Sequence, residues 1–240
     1  MRTRLKSSFL IDVNSILHNR TYLVRIIILF ILILLLKFIF PLFYGFINSK
    51  TDFRPDSYFS LTAITLIIII PLLTGMAYSY SLKKVDVLHV INNQQYSGFE
   101  RVNYLLKKMI FLSIFSFIFV MIAVILAKPV PSEGWLRTLF AGLLFSVQSA
   151  VVFLFETTDG RNHKLTSNWI YSLFVIIVPL GLLLHHPWNY LSFFSPFYWI
   201  ACSWMVRSPY DGMIYGLIAL ILTLAAVIAL LWHIIRKQRV

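Results

Sequence analysis

The chain has 240 residues, 59% of them apolar and only 12% charged, with a mean hydropathy of +0.82. A soluble domain has about 45–50% apolar and about 25% charged residues, so this composition excludes an ordinary water-soluble globule, and its high hydropathy excludes disorder. A single cysteine, Cys202, excludes an internal disulfide framework and any multi-cysteine metal site.

Residues 5–20 come first. Leu5, Phe9, Val13, Ile16 and Leu17 recur at helical spacing, with Arg4, Ser8, Asp12, Ser15 and Asn19 on other faces. This pattern predicts an amphipathic elbow helix lying in the membrane interface. The first long apolar run starts after about twenty residues and lacks a small-residue cleavage site, so a cleaved signal peptide is not expected.

Six apolar stretches then match or approach the roughly 20 residues that cross a bilayer core. They are Tyr22–Phe46, Tyr58–Tyr80, Met109–Ala127, Trp135–Phe155, Asn168–Leu184 and Gly212–Ile235. The expectation is an all-α integral membrane protein with six transmembrane helices, forming a single domain over residues 1–240. No fixed-period repeat or second soluble domain is expected. The basic residues orient it. Of 21 Lys and Arg, five (Lys50, Arg54, Lys128, Arg137 and Arg207) fall on one side. Lys37 lies deep in the first span, and the remaining fifteen fall on the other side. The positive-inside rule then places both termini in the cytoplasm of a cell membrane. The net charge of +12 is accounted for by topology and anionic lipid, so no nucleic-acid partner is required.

Three regions carry more than a plain crossing. Lys37 lies about 9 residues, or roughly 13 Å, from the outer end of its span. It either snorkels to the interface or faces a wet pathway and meets an anionic group of the cargo. The cytoplasmic segment 81–108 follows the second span. Val87, Leu88, Val90 and Ile91 form a short apolar stripe, Asn92 to Gln95 form a polar break, and Ser97 with Glu100 forms a capping box at the start of the next helix. An apolar patch on such a loop points to a protein partner. The outer segment 185–211 is too apolar for a solvated loop and is interrupted by Pro187 and Pro196. It is expected to dip into the outer leaflet as two half-helices between spans five and six, because a seventh full span would invert the last one against the charge rule. In a dimer, Phe194, Phe197, Tyr198 and Trp199, beside the break at Pro196, would form an outer gate.

Catalytic signatures are missing. The sequence has no G-x-x-x-x-G-K-[ST], no H-E-x-x-H and no G-x-S-x-G. The adjacent pair His185 and His186 does not share a helix face, so no metal site is expected. Carboxylates are missing from mid-membrane positions, which disfavours an ion-coupled transporter or channel, the alternative reading.

Two stretches carry a resemblance. Lys84 to Ile91, followed by Tyr96 to Lys108, is similar to the coupling-helix region of ABC-2 type export permeases. Pro187 to Leu191, followed by Ser195 to Trp199, is similar to the extracellular segment of the small permeases in that family. The resemblance implies a permease with Asp86, Val87, Leu88, Val90 and Ile91 at the ATPase contact. It also implies a second permease copy and a separate ABC ATPase subunit. This chain would hold no cofactor itself, and ATP and magnesium would bind the partner ATPase.

Overall fold

The structure is a computed structural model that describes residues 20–48, 56–83, 98–127, 135–158, 177–178, 181–182, 190, 192–206 and 208–236. Every regular element among them is helical. They are α1 (Arg20–Asn48), α2 (Asp56–Lys83), α3 (Gly98–Ala127), α4 (Trp135–Thr158), the short α5 (Pro196–Met205) and α6 (Pro209–Arg236). Helix is the physical solution for such sequences, because in lipid each backbone N–H and C=O must find its partner within the segment.

Four segments among the described residues have the length and composition of a membrane crossing: Thr62–Ser79, Val102–Leu126, Trp135–Thr157 and Tyr210–Ile234. α1 is a single helix of 29 residues, about 43 Å long at 1.5 Å per residue. Most of the expected fifth span lies outside the described residues. So do the elbow segment 5–19 and the coupling residues Asp86, Val87, Leu88, Val90 and Ile91.

α4 is the hub of the bundle and packs against α2, α3, α5 and α6. Its sequence explains why. Ala141, Gly142, Ser146, Ser149 and Ala150 are small, and small residues let membrane helices approach closely. At Gly75 of α2 the approach is close enough to bring backbone against backbone. A Cβ there would lie 2.6 Å from the Ser149 carbonyl oxygen and 2.7 Å from Val152 Cβ. α2 also passes through Pro71, which cannot donate a backbone hydrogen bond. Three residues on, Thr74 Oγ1 lies 3.0 Å from both the Ile70 and Pro71 carbonyl oxygens. It is also 3.3 Å from Ser116 Oγ of α3, so the polar groups near Pro71 bind one another inside the bundle.

Among the described residues, two apolar clusters fill the interior. One gathers Ile64, Ile67 and Ile68 of α2, Val120 of α3, Leu144 and Phe145 of α4, and Ile200 and Trp204 of α5. The other gathers Ile26, Tyr78, Leu105, Leu112, Phe153 and Ile234 near the opposite end. There Tyr78 stands 5.4 Å from the Phe153 ring and 5.6 Å from that of Phe111. The outside is equally apolar. α1 exposes Val24, Ile27, Ile28, Ile31, Leu35 and Phe38, and α6 exposes Met213, Leu217, Ile221, Leu224, Ile228 and Trp232. Surfaces of that extent mark contact with lipid or protein rather than water.

Candidate functional site

The aromatic segment before α6 is the most elaborate part of the molecule. It is built from tight turns. Phe193 N–H donates to Tyr190 C=O at 3.2 Å, and Ser195 N–H donates to Ser192 C=O at 3.0 Å. Ser192 Oγ donates to Ile177 C=O at 2.8 Å, which fastens these turns to the stretch where the fifth span was expected. Ser195 is extended at φ −90° and ψ 119°, and α5 starts on the next residue, Pro196. Proline suits this position because its fixed φ is helical and its missing N–H would have had no intrahelical partner. The interruption expected at Pro196 is therefore a helix start. α5 is a single ten-residue helix.

Residues of the expected outer gate divide into two groups. Phe197 and Tyr198 are buried, at 4% and 8% exposure. Phe197 stacks on Phe145 of α4 with ring centres 6.4 Å apart, and Trp204, two turns further along the same face, meets the same ring edge-on at 6.0 Å. Within the protomer these side chains anchor α5 to the hub. Phe194, by contrast, is 87% exposed and Trp199 is half-buried. Trp199 Nε1 donates to Phe193 C=O at 2.7 Å, which locks the turn against the helix. Its ring lies 5.0 Å from Phe193 and 5.6 Å from Tyr215 of α6, and Phe193 in turn meets Tyr190 edge-on at 5.1 Å. A run of rings thus joins the turn, α5 and α6, with Phe194 standing free beside it.

Cys202 lies half-buried on α5. Burial pushes its thiol up to about 11, against a hydrogen bond donated by the Tyr198 hydroxyl that pulls it down.

Lys37 is half-buried on α1. Among the described side chains of that helix, Ile26, Leu29 and Ile33 are buried, and Lys37 continues the same stripe one turn beyond Ile33. At 100° per residue, Lys37 lies on the side that packs against the bundle, while Leu35, Phe38 and Ile39 are exposed. The register therefore turns Lys37 inward.

Sequence reasoning passed over three polar features. Gln148 Nε2 of α4 donates to Thr223 Oγ1 of α6 at 2.6 Å, with both residues buried. Lys108, counted only as a loop charge, is buried at 7% exposure, and its ammonium lies 5.4 Å from the Tyr104 ring. Arg137, counted only as an outer charge, binds backbone carbonyls of α5 and of the residue after it. The usable signal was the cost of a polar side chain within an apolar run, which must be met by a partner.

The family described as "Fluoroquinolones export permease protein Rv2686c-like" matches residues 12–233. No curated protein and no solved structure matches the chain. The family match takes in α1 to α5, the aromatic segment before α6, and α6 itself as far as residue 233. The chain belongs to the Rv2686c-like family of export permeases.

Proposed function

We propose that the chain is the membrane-spanning permease subunit of an ATP-driven ABC exporter of the ABC-2 type, resident in the cell membrane with both termini cytoplasmic. One observation carries this reading: the export-permease family spans residues 12–233, while the sequence contains no phosphate-binding loop of its own. The energy then comes from a separate ABC ATPase, which binds ATP and magnesium. Asp86, Val87, Leu88, Val90 and Ile91 form the docking stripe for that subunit. Transport is alternating access, driven by nucleotide states that favour one permease conformation over the other.

Two permease copies enclose the pathway. The cargo is hydrophobic or amphipathic, and the fluoroquinolones of the family description fit because they combine a planar aromatic system with a carboxylate. Lys37, on the inward stripe of α1, meets the carboxylate. Phe194 and Trp199 form the moving apolar surface of the outer gate. Phe197 roots it in the hub, Tyr198 is buried against Phe193, and Pro196 sets where its helix begins.

The test is co-purification with the ATPase partner. Replacing Val90 and Ile91 with Asp should release the ATPase while the permease stays inserted in the membrane. Undiminished co-purification would overturn the docking assignment.

A further inference from the structure

We propose that Arg137 is the latch of the outer gate, a positioning residue that holds α5 closed against the hub. The inference rests on the gate reading above and adds the group that governs it. α5 has ten residues, and a helix end leaves its last carbonyls without intrahelical partners. The chain turns extended at Val206, whose N–H reaches only Cys202 C=O, at 3.1 Å. The Ser203 and Val206 carbonyls are both taken by one guanidinium from another helix. Arg137 Nε donates to Ser203 C=O at 2.7 Å, and Nη2 donates to Val206 C=O.

A guanidinium suits this task. Its donors form a rigid planar fork, and it keeps its charge at every accessible pH. Its positive charge also faces the negative end of the α5 dipole. The site is shaped for it as well. A Cβ on Gly212, in the first turn of α6, would stand 3.0 Å from the Ser203 carbonyl oxygen and 3.1 Å from Arg137 Nη2. Glycine thus leaves the space in which the fork and the carbonyls meet.

The location gives the contact its consequence. Arg137 belongs to the first turn of α4, the packing centre of the bundle, whereas its acceptors lie 66 and 69 residues away at the far end of α5. Apolar packing of Phe197 and Trp204 on Phe145 holds α5 along its length, and the Trp199 bond to Phe193 ties its start to the turn before it. For the end of α5 to move outward about the Phe197 anchor, Trp204 must slide off Phe145 and both Arg137 bonds must break together. The latch therefore sets how often the outer gate opens at rest.

Cys202, one residue before the first acceptor, reports the event. A membrane-impermeant maleimide is added to intact cells holding the full transporter without turnover. Arg137→Gln should label Cys202 at least about tenfold faster than wild type, the factor that loss of one charge-assisted hydrogen bond implies. Arg137→Lys keeps the charge without the fork and should fall between the two. A wild-type rate in Arg137→Gln, with the protein inserted at normal level, overturns the latch. Should that variant fail to insert, Gly212→Ala crowds the same fork and should also label faster, and a wild-type rate there overturns the latch equally. A separate comparison isolates the gate. If wild-type Cys202 labels at one rate at rest and during turnover, the gate reading itself fails, whereas turnover-dependent labelling with an unaltered Arg137→Gln rate removes the latch alone.

Discussion

Gly75→Ala adds a single methyl group where α2 and α4 cross. That methyl would stand 2.6 Å from the Ser149 carbonyl oxygen and 2.7 Å from Val152 Cβ and Cγ1. Carbon contacts are comfortable at about 3.5–4.0 Å, so the helices must part by about 1 Å. Two effects oppose each other. Alanine gains about 1 kcal/mol in helix propensity over glycine. Overpacking costs about 1–3 kcal/mol. The obstructing atoms decide the sign, because a backbone carbonyl and a β-carbon cannot rotate out of the way. The spreading also strains the neighbouring polar contact between Thr74 and Ser116. Obstruction by such rigid atoms puts the cost in the upper part of that range, about 2–3 kcal/mol, and a net loss of about 1–2 kcal/mol follows once the propensity gain is subtracted. Gly142→Ala is the matched control. Its methyl would meet Met121 Sδ at 2.9 Å, with the next atoms at 3.6 Å and beyond, and a thioether moves aside easily. Thermal unfolding of the detergent-purified protein, followed by tryptophan fluorescence, should show Tm lowered by about 2–8 °C for Gly75→Ala. Gly142→Ala should remain close to wild type. Equal Tm values for the two variants, or a greater loss at Gly142, would refute the close-packing argument.

Gln148→Leu removes the bond to Thr223, but Thr223 keeps its own bond to Ala219 C=O at 2.7 Å. The loss should be modest, about 1 kcal/mol, and measurable in the same thermal assay. The Cys202 thiol, raised to about 11 by burial, should still label faster with each step of pH at about 10, where the denatured protein, with a thiol near its ordinary value, should level off. Lys37→Met should raise KM for a carboxylate-bearing cargo more than it lowers kcat, while Lys37→Arg should keep most of the affinity.

The architecture is written locally and the site is not. A run of apolar residues without mid-run carboxylates identifies a helix wherever it folds, so α4 starts at the expected Trp135 and α6 covers the expected last span. The helix expected to start at the capping box of Ser97 and Glu100 runs on into the third span, so α3 is unbroken from Gly98 to Ala127. Lysines do not end helices, and Lys108 folds back over Tyr104. The aromatic segment is visible from composition alone, but its division is not. Phe197 turns inward because Phe145 of another helix receives it, and Phe194 stays outside because it precedes the helix start at Pro196. Arg137 was legible only as a charge. Its acceptors are backbone carbonyls, which every residue type carries, so no spacing rule points to them.

The central claim is that this permease exports cargo on energy supplied by another chain. Its most direct test is uptake of a fluorescent fluoroquinolone into inside-out vesicles holding the permease with its ATPase, the permease alone, or the permease with an ATPase lacking the phosphate-binding lysine. The account predicts ATP-dependent uptake only with the intact pair, insensitive to a protonophore. Uptake by the permease alone, abolished when the proton gradient is collapsed, would contradict it.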